Sequence, residues 1–459
     1  MSKDSNANIL PLDPTPHPER ALGFTALLTV AIGNVFGASV YSLQAPASGL
    51  TGRSAWLAFA AACIVGFITV FPYLMICGAV SLKGGDFTTV DLGLGKMAGG
   101  LFSWCFILMC IGPAIAVSAI IGYVTTLWPG APGKLIAIAV TVLIFILNIC
   151  PIKAVSKAQN YMFYILCAST LVYIIYGLFH INQGVFDFSS EGYFSGGMKG
   201  FISATTTFCA TTSFYVQISA LGCQSQNPRK HMPKSMLITA LIILILYPLM
   251  TLVNCNTLPW DATVGKPMVA TARALMPTAL VIFFIICGPF LAVTTTLNAG
   301  FMALARPFDA AAEKGWLPKV LTKKNKAGAP VGTMILLLLV SVVPVILTDN
   351  IMILANATVM VQNIIKLITL AAAWCIPAKF PEFWKTGYFR KLPMWAFYVI
   401  MGICTAVQLA MIISAMTNLA AWQVILGVGL IVLMCVIALV WYKFKKDSIK
   451  VDVDFESMS

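Results

Sequence analysis

Twelve apolar stretches, each long enough to cross a bilayer, take up most of the 459 residues, and in their interior stands one ionisable side chain, Lys366. Crossing about 30 Å of hydrocarbon takes roughly twenty apolar residues. Such stretches fall at 22–48, 54–82, 97–127, 133–151, 158–180, 199–224, 235–256, 274–305, 331–348, 351–377, 393–416 and 420–442. All sixteen Asp and Glu residues, and His17, His180 and His231, lie in tails, in loops or within a turn or so of a span end. A charge at the bilayer centre is expensive and is usually kept for a task. Lys366 is therefore a candidate functional residue before any motif is considered. Charged residues make up 10% of the chain and hydrophobic ones 59%, whereas globular domains are about a quarter charged. The expected fold is all-α and polytopic, with the excess apolar surface facing lipid.

An even number of spans puts both tails on one side. The tails and even-numbered loops carry about 23 of the 29 Lys and Arg residues, and the opposite loops only Arg53, Lys134, Lys199, Lys266 and Arg273. Both termini are thus expected to be cytoplasmic, in a multi-pass protein of the plasma (inner) membrane. The net charge of +13 is then a topology signal, dispersed among loops rather than gathered on a face for nucleic acid. The first twenty residues are polar and lack a short apolar core ahead of a small-residue cleavage site, so span 1 itself is expected to direct insertion. Thirteen Cys residues are scattered singly, without CxxC spacing. They read as small buried hydrophobes, and neither a metal nor a cofactor is expected.

Spans 1 and 6 are interrupted at mid-membrane depth. Span 1 contains Gly33, Asn34, Gly37, Ala38 and Ser39, with Pro46 near its outer end; span 6 contains Thr205, Thr206, Thr207, Thr211, Thr212 and Ser213. Small residues let a helix open and hydroxyls bond the freed backbone groups, although the same residues also serve close helix packing. Cys110-Ile111-Gly112-Pro113 in span 3 is echoed by Cys287-Gly288-Pro289 in span 8, five spans later. An odd offset inverts the second copy. Inverted repeats with breaks in matching helices point to a secondary transporter whose site lies at the repeat interface.

Several segments resemble the amino acid/polyamine/organocation superfamily of permeases, most closely its basic amino acid/polyamine antiporter branch. They are Ile32-Gly33-Asn34-Val35-Phe36-Gly37-Ala38-Ser39-Val40-Tyr41, Asn227-Pro228-Arg229-Lys230-His231-Met232-Pro233, and Ala311 to Pro318 continuing to Asn325 to Pro330, with Gly84-Gly85-Asp86-Phe87 as a weaker fourth. The resemblance implies a 5+5 inverted repeat with helices 1 and 6 broken. Residues 1–20 would be a cytoplasmic tail, 21–182 the first repeat, 199–378 the second, 393–442 two accessory spans and 443–459 a cytoplasmic tail. It also implies substrate contacts at Asn34, Val35, Gly37, Ala38 and Ser39 of span 1 and at Ala210, Thr211 and Ser213 of span 6. Looser matches add Gly112, Pro113, Thr296, Gly300 and Thr358. The chain departs from the family pattern in places. Its G-S-G motif reads Gly37-Ala38-Ser39, its F-x-G-x-E motif reads Thr212-Ser213-Phe214-Tyr215-Val216, and the body of span 5 has no lysine.

The physical reading of the breaks agrees with that role. A half-helix beginning at Gly37 to Ser39 points free N–H groups and a positive dipole end into the cavity, which suits a carboxylate. Carbonyls ending the first half of span 6 would accept from an ammonium group. Lys366 lies roughly 18 Å from the cytoplasmic interface at 1.5 Å per residue, beyond the roughly 6 Å reach of a snorkelling stem. Gln362, Lys366 and Thr369 form a stripe that should face the bundle or a wet cavity rather than lipid. Lys366 is thus a candidate for coupling or for a fixed charge near the substrate; the alternatives are bonding to a neighbouring span or a vestibule wet to that depth. With no embedded Asp or Glu, a polyamine finds no counter-charge, although Phe208, Phe214, Tyr215 and Trp104 are candidate aromatic partners for a cation. Thr294, Thr295 and Thr296 sit where sodium-coupled members of this fold bind sodium, or else bond their own helix.

The expected function is secondary active transport of an amino acid, with exchange of amino acid against amine or polyamine as the alternative. An embedded enzyme would need a nucleophile and base or metal ligands at helix depth, and no His, Asp or Glu is available there. A channel would present a charged ring or carbonyl filter in a symmetric oligomer. The expected partners are a small amino acid or amine and the bilayer, with no nucleic acid; a homodimer is left open.

Overall fold

A computed structural model describes residues 20–449, except 81, 182–184, 191, 210, 260–261, 263 and 348–350; of the side chains at 38, 351–360, 382–383, 386 and 418 nothing is described. Long apolar stretches become helices because lipid offers backbone N–H and C=O groups no other partner. Among the described residues nine helices are long and apolar enough to cross a membrane: Phe24–Ser42, Gln44–Ala79, Lys96–Leu127, Ile152–Leu178, Pro228–Asn256, Thr278–Glu313, Val361–Lys379, Met394–Thr417 and Ala421–Ser448. Two shorter apolar helices, Gly133–Asn148 and Val331–Leu347, supply spans 4 and 9. Segment 197–224 supplies span 6 in two pieces, Gly197–Cys209 and a tighter 3₁₀ run Phe214–Ala220. The fold is all-α and polytopic, as expected. Span 1 is the most enclosed, with 76% of its apolar window buried, whereas spans 11 and 12 bury 22% and 11%. The last two therefore flank the bundle rather than complete its core.

Both ends of the described chain lie at one end of the bundle. Leu22 exchanges backbone hydrogen bonds with Gln224 and Gln226 beyond span 6, and the Trp441 indole at the end of span 12 donates to Gly315 O after span 8. At the other end Arg53 N and Ser54 N donate to the carbonyls of Gly192 and Tyr193, and Arg53 Nε to Asn256 Oδ1.

The Cys-Gly-Pro echo marks a shared irregularity. Span 3 tightens to a 3₁₀ turn over Phe106–Cys110 just before Gly112-Pro113, and span 8 widens to a π turn over Ile286–Phe290, which contains Gly288-Pro289. Pro lacks an N–H to donate and its ring crowds the preceding turn, so each helix changes its winding there.

One element was not expected. After span 2 the chain turns on Gly84 and Gly85, at φ 83° and 52°, a left-handed conformation that glycine adopts freely. A Cβ on Gly84 would come within 2.5 Å of the Ala310 Cβ, and one on Gly85 within 2.8 Å of the Ala220 backbone. The turn launches a short helix, Asp86–Leu94, which packs along the later part of span 10. A Cβ on Gly93 would meet Ala372 O at 2.4 Å, and Lys379 Nζ donates to Gly93 O at 2.8 Å. Lys314, at the end of span 8, pairs with Asp91 of the same helix.

Candidate functional site

Span 1 stops being helical at Phe36 and Gly37. Helix Phe24–Val35 ends there, Gly37 is extended (φ −111°, ψ −169°), and Ala38–Ser42 runs on through Leu43 into Gln44–Thr51. The opening begins one residue earlier than the Gly37 to Ser39 expected from sequence, because Phe36 has already left helical geometry (ψ 64°). A break frees carbonyls before it and N–H groups after it. Two of the carbonyls find side-chain donors: Thr296 Oγ1 of span 8 donates to Gly33 O at 3.0 Å, and Tyr247 Oη of span 7 donates to Val35 O at 2.7 Å. A Cβ on Gly37 would sit 2.5 Å from Thr296 Oγ1, so span 8 presses directly on the opening. Tyr247 was not singled out from sequence, since a tyrosine in an apolar helix carries no periodic signal.

Span 6 breaks where its hydroxyls cluster. Thr211 Oγ1 donates to Phe208 O at 2.9 Å, and Thr212 Oγ1 to Cys209 O at 3.3 Å and to Ala62 O of span 2 at 3.0 Å. Phe208 O and Cys209 O therefore each accept a hydroxyl as well as a backbone N–H, from Thr211 N at 2.9 Å and Thr212 N at 3.4 Å. Beyond the break, Phe214–Ala220 packs against the first half of span 1. A Cβ on Gly66 of span 2 would lie 2.2 Å from Thr212 Oγ1, so span 2 closes on the break from outside.

Lys366 meets this second break. Its Nζ donates to Ser213 Oγ at 2.7 Å and stands 5.5 Å from the centre of the Phe214 ring. Both bear out a lysine turned into the bundle. A cavity of about 270 Å³ opens beside it, lined by Thr206, Thr207, Ser213, Gln362, Lys366 and Gln408 among others. Gln408 of span 11 donates to Asn363 O and Oδ1, fixing that wall. Thr369, the third member of the polar stripe, is buried and donates to Ile365 O in its own helix.

The other expected contacts scatter. Asn34 is buried with its Nδ2 unpartnered among the described residues. Ser39 is half-buried beyond the break, and Gly112 and Gly300 have open space where a Cβ would stand. Pro113 is buried in span 3. Of all the expected residues, Ser213 and Lys366 line the cavity, whereas Asn34, Val35, Gly37, Ser39, Gly112, Pro113, Thr211, Thr296 and Gly300 do not. Ala210 and the side chains of Ala38 and Thr358 lie outside the described residues. Thr294, Thr295 and Thr296 each bond a carbonyl of their own helix, and Thr296 also bonds Gly33.

A carboxylate reaches the same region. The Asp86 carboxylate, at the head of the short helix after span 2, is an electrostatic neighbour of Lys366 and of Tyr73 and Cys77 of span 2. Its Oδ1 is buried without a hydrogen-bond partner among the described residues. Sequence placed this residue in a loop, and the Gly84-Gly85 turn is what carries it back to the lysine. An embedded carboxylate was not expected; Asp86 is buried beside the lysine, although it is not among the residues lining either cavity.

A second cavity, of about 200 Å³, lies at the end bearing the tails. Lys83, Asn148, Ala220, Gln224, Arg306, Asp309 and Lys324 are among its walls. An ion-pair chain borders it: Lys83 with Glu313, and Lys324 with Glu313 at 3.1 Å and Asp309 at 3.5 Å.

Comparison with known proteins agrees with this architecture. Residues 22–437 match the model of a family described as amino acid permease. An uncharacterized amino acid permease of Bacillus subtilis, YvbW, is 21% identical over 68% of this chain and 72% of its own. The serine/threonine exchanger SteT of the same organism is 24% identical over 65% of this chain and 70% of its own. The uncharacterized B. subtilis transporter YdgF is 22% identical over 88% and 92%. A family match over nine tenths of the sequence, on a polytopic helical bundle, establishes that this chain belongs to the amino acid permease family and is a membrane transporter rather than an enzyme.

Proposed function

We propose that the chain carries a zwitterionic amino acid across the plasma membrane by alternating access, with both termini on the cytoplasmic side. Its carboxylate would lie against the N–H groups that open the outer half of span 1, at Gly37 to Ser39, and its ammonium against the carbonyls at the span 6 break. The observation that carries this reading is that two interrupted helices meet, Phe214–Ala220 beyond the second break packing against Phe24–Val35 before the first. A positive helix end favours an anion, and the negative end of a helix favours a cation. Asn34 supplies an unpartnered buried amide at the first break. Thr296 and Tyr247 hold the broken backbone open by bonding the carbonyls of Gly33 and Val35. The two repeats, residues 21–182 and 199–378, would rock about this site, with spans 11 and 12 as accessories; the matching irregularities of spans 3 and 8 support that division.

Exchange of one amino acid for another is the second reading. It is favoured by the similarity to a protein named a serine/threonine exchanger. Purified full-length chain screened by thermal shift against amino acids and amines tests the substrate class, because a ligand that binds only the folded form raises its melting temperature. Counterflow of a labelled hit into proteoliposomes then tests transport. Stabilisation by amino acids together with saturable counterflow is expected; stabilisation by none of them and no counterflow would overturn the reading.

A further inference from the structure

Lys366 borders one cavity directly, and Asp86 is linked to the other through the turn that precedes it. The lysine lines the one between spans 2, 6, 10 and 11. The aspartate follows Gly85, which packs on Ala220, a wall of the cavity at the tail end together with Lys83. Backbone register brings the two side chains to one level. Gly93 lies against Ala372, and stepping back to Asp86 along one helix and to Lys366 along the other covers about 10.5 Å and about 9 Å at 1.5 Å per residue. The carboxylate is thus an acid with a buried oxygen, unpartnered among the described residues, facing a lysine.

We propose that Asp86 and Lys366 form a proton-holding pair that couples net amino acid movement to a proton. The pair at rest is carboxylate and ammonium. One Lys366 N–H bond breaks as its proton passes to Asp86, forming a carboxyl O–H, and the amine then takes a proton from water in the cavity it lines. The pair now holds one extra proton. When the bundle opens toward the tails, the Asp86 O–H gives its proton to water in the second cavity and the pair returns to its first state. Other charges nearby are engaged elsewhere: Lys83 with Glu313 and Lys314 with Asp91. From span 2, Asp86 faces Tyr73 and Cys77; from span 6, Cys209 faces Lys366. Burial also pushes the Asp86 carboxyl up to about 7, against the pull of Lys366, so it exchanges a proton in the working pH range.

This inference rests on the transport reading above, and the test separates the two. Full-length chain is reconstituted in proteoliposomes containing a trapped pH dye, with labelled L-serine and then a panel of amino acids as probes. Counterflow at equal pH reports transport alone. Net uptake under an imposed pH gradient reports coupling. One proton per amino acid raises accumulation about tenfold per pH unit, with acidification of the lumen alongside it. Asp86→Asn should keep counterflow within about twofold while losing the gradient-driven accumulation, and Asp86→Glu should restore part of it. Intact counterflow with neither gradient response nor acidification overturns the proton pair and leaves the transport reading standing. An Asp86→Asn protein that accumulates like the unmodified chain overturns it as well. No counterflow of any amino acid overturns both.

Discussion

Lys366 of span 10 donates to the Ser213 hydroxyl at the span 6 break across 2.7 Å, so the one lysine in the bundle's interior is tied to the point where a helix comes apart. Any rearrangement of that break must stretch or renew this bond, and any change in the charge of the lysine must be felt at the break. The cavity beside it is large enough to admit water.

Replacing Lys366 with Met keeps most of the stem's packing and removes the charge. Net uptake should be abolished or uncoupled from any gradient, while the protein still purifies as one species. Replacing Ser213 with Ala leaves the ammonium without its neutral acceptor. A hydrogen bond to a charged group is worth about 1.5–3 kcal/mol, so uptake should fall by roughly tenfold or more. Uptake rates for both proteins that match the original, across the whole pH range, would remove Lys366 from the mechanism.

Tyr247→Phe tests how the first break is held. Without the phenolic hydroxyl, Val35 O loses a 2.7 Å bond inside a buried cluster where Tyr247 itself is fully enclosed. Val35 O keeps the Gly37 N–H at 2.9 Å, and losing one neutral hydrogen bond costs about 0.5–1.5 kcal/mol. Thermal melts in detergent should show that loss, and substrate should stabilise the variant less than the unmodified chain. A variant that melts like the unmodified chain, both with and without substrate, would show that the hydroxyl does not matter.

The bundle was legible from sequence because lipid leaves a span few choices: apolar runs of sufficient length become helices. Runs of glycine and hydroxyl residues also located both breaks to within a residue or so, at Phe36-Gly37 and at Thr211 to Ser213. The reason is local, since opening a helix needs small residues and hydroxyls at the opening itself. The contacts made by Tyr247, Gln408 and Asp86 were not legible. Each acts across the bundle on a residue far away in sequence, and nothing in its own neighbourhood signals the partner. Asp86 is the plainest case. Gly84-Gly85 announces a turn, but where that turn delivers the next residue depends on Ala220 of span 6 and Ala310 of span 8, against which the glycines pack.

Gly66 is a steric test of the second break. A Cβ there would meet Thr212 Oγ1 at 2.2 Å, its Cβ at 2.7 Å and its carbonyl oxygen at 3.0 Å. A hydroxyl could rotate away, but the Cβ and the carbonyl belong to the break itself. Gly66→Ala should therefore displace Thr212 and cost its bond to Ala62 O. Overpacking of this kind costs about 1–3 kcal/mol. Counterflow should drop sharply, whereas Gly112→Ala, with nothing within 4 Å of its added carbon, should leave folding unchanged.

Asp86 also sets a pH dependence of stability whose sign is fixed. Burial raises its carboxyl from 3.8 to about 7 in the folded chain. Between those values the unfolded chain has lost the proton and the folded chain keeps it, so the folded state binds more protons and stability falls as pH rises. The contribution is complete below about pH 4 and is lost as pH climbs through about 7. Its steepest slope is about 1.4 kcal/mol per pH unit, the worth of one proton. Asp86→Asn cannot ionise, so it should melt like the unmodified chain near pH 4 and above it at pH 8, with a flatter profile between. Lys366→Met removes the attraction that favours the carboxylate, so in that background the loss of stability should extend to higher pH. Parallel melting profiles for Asp86→Asn and the unmodified chain from pH 4 to pH 8 would mean that the carboxylate is already ionised where it sits, solvated rather than buried beside the lysine.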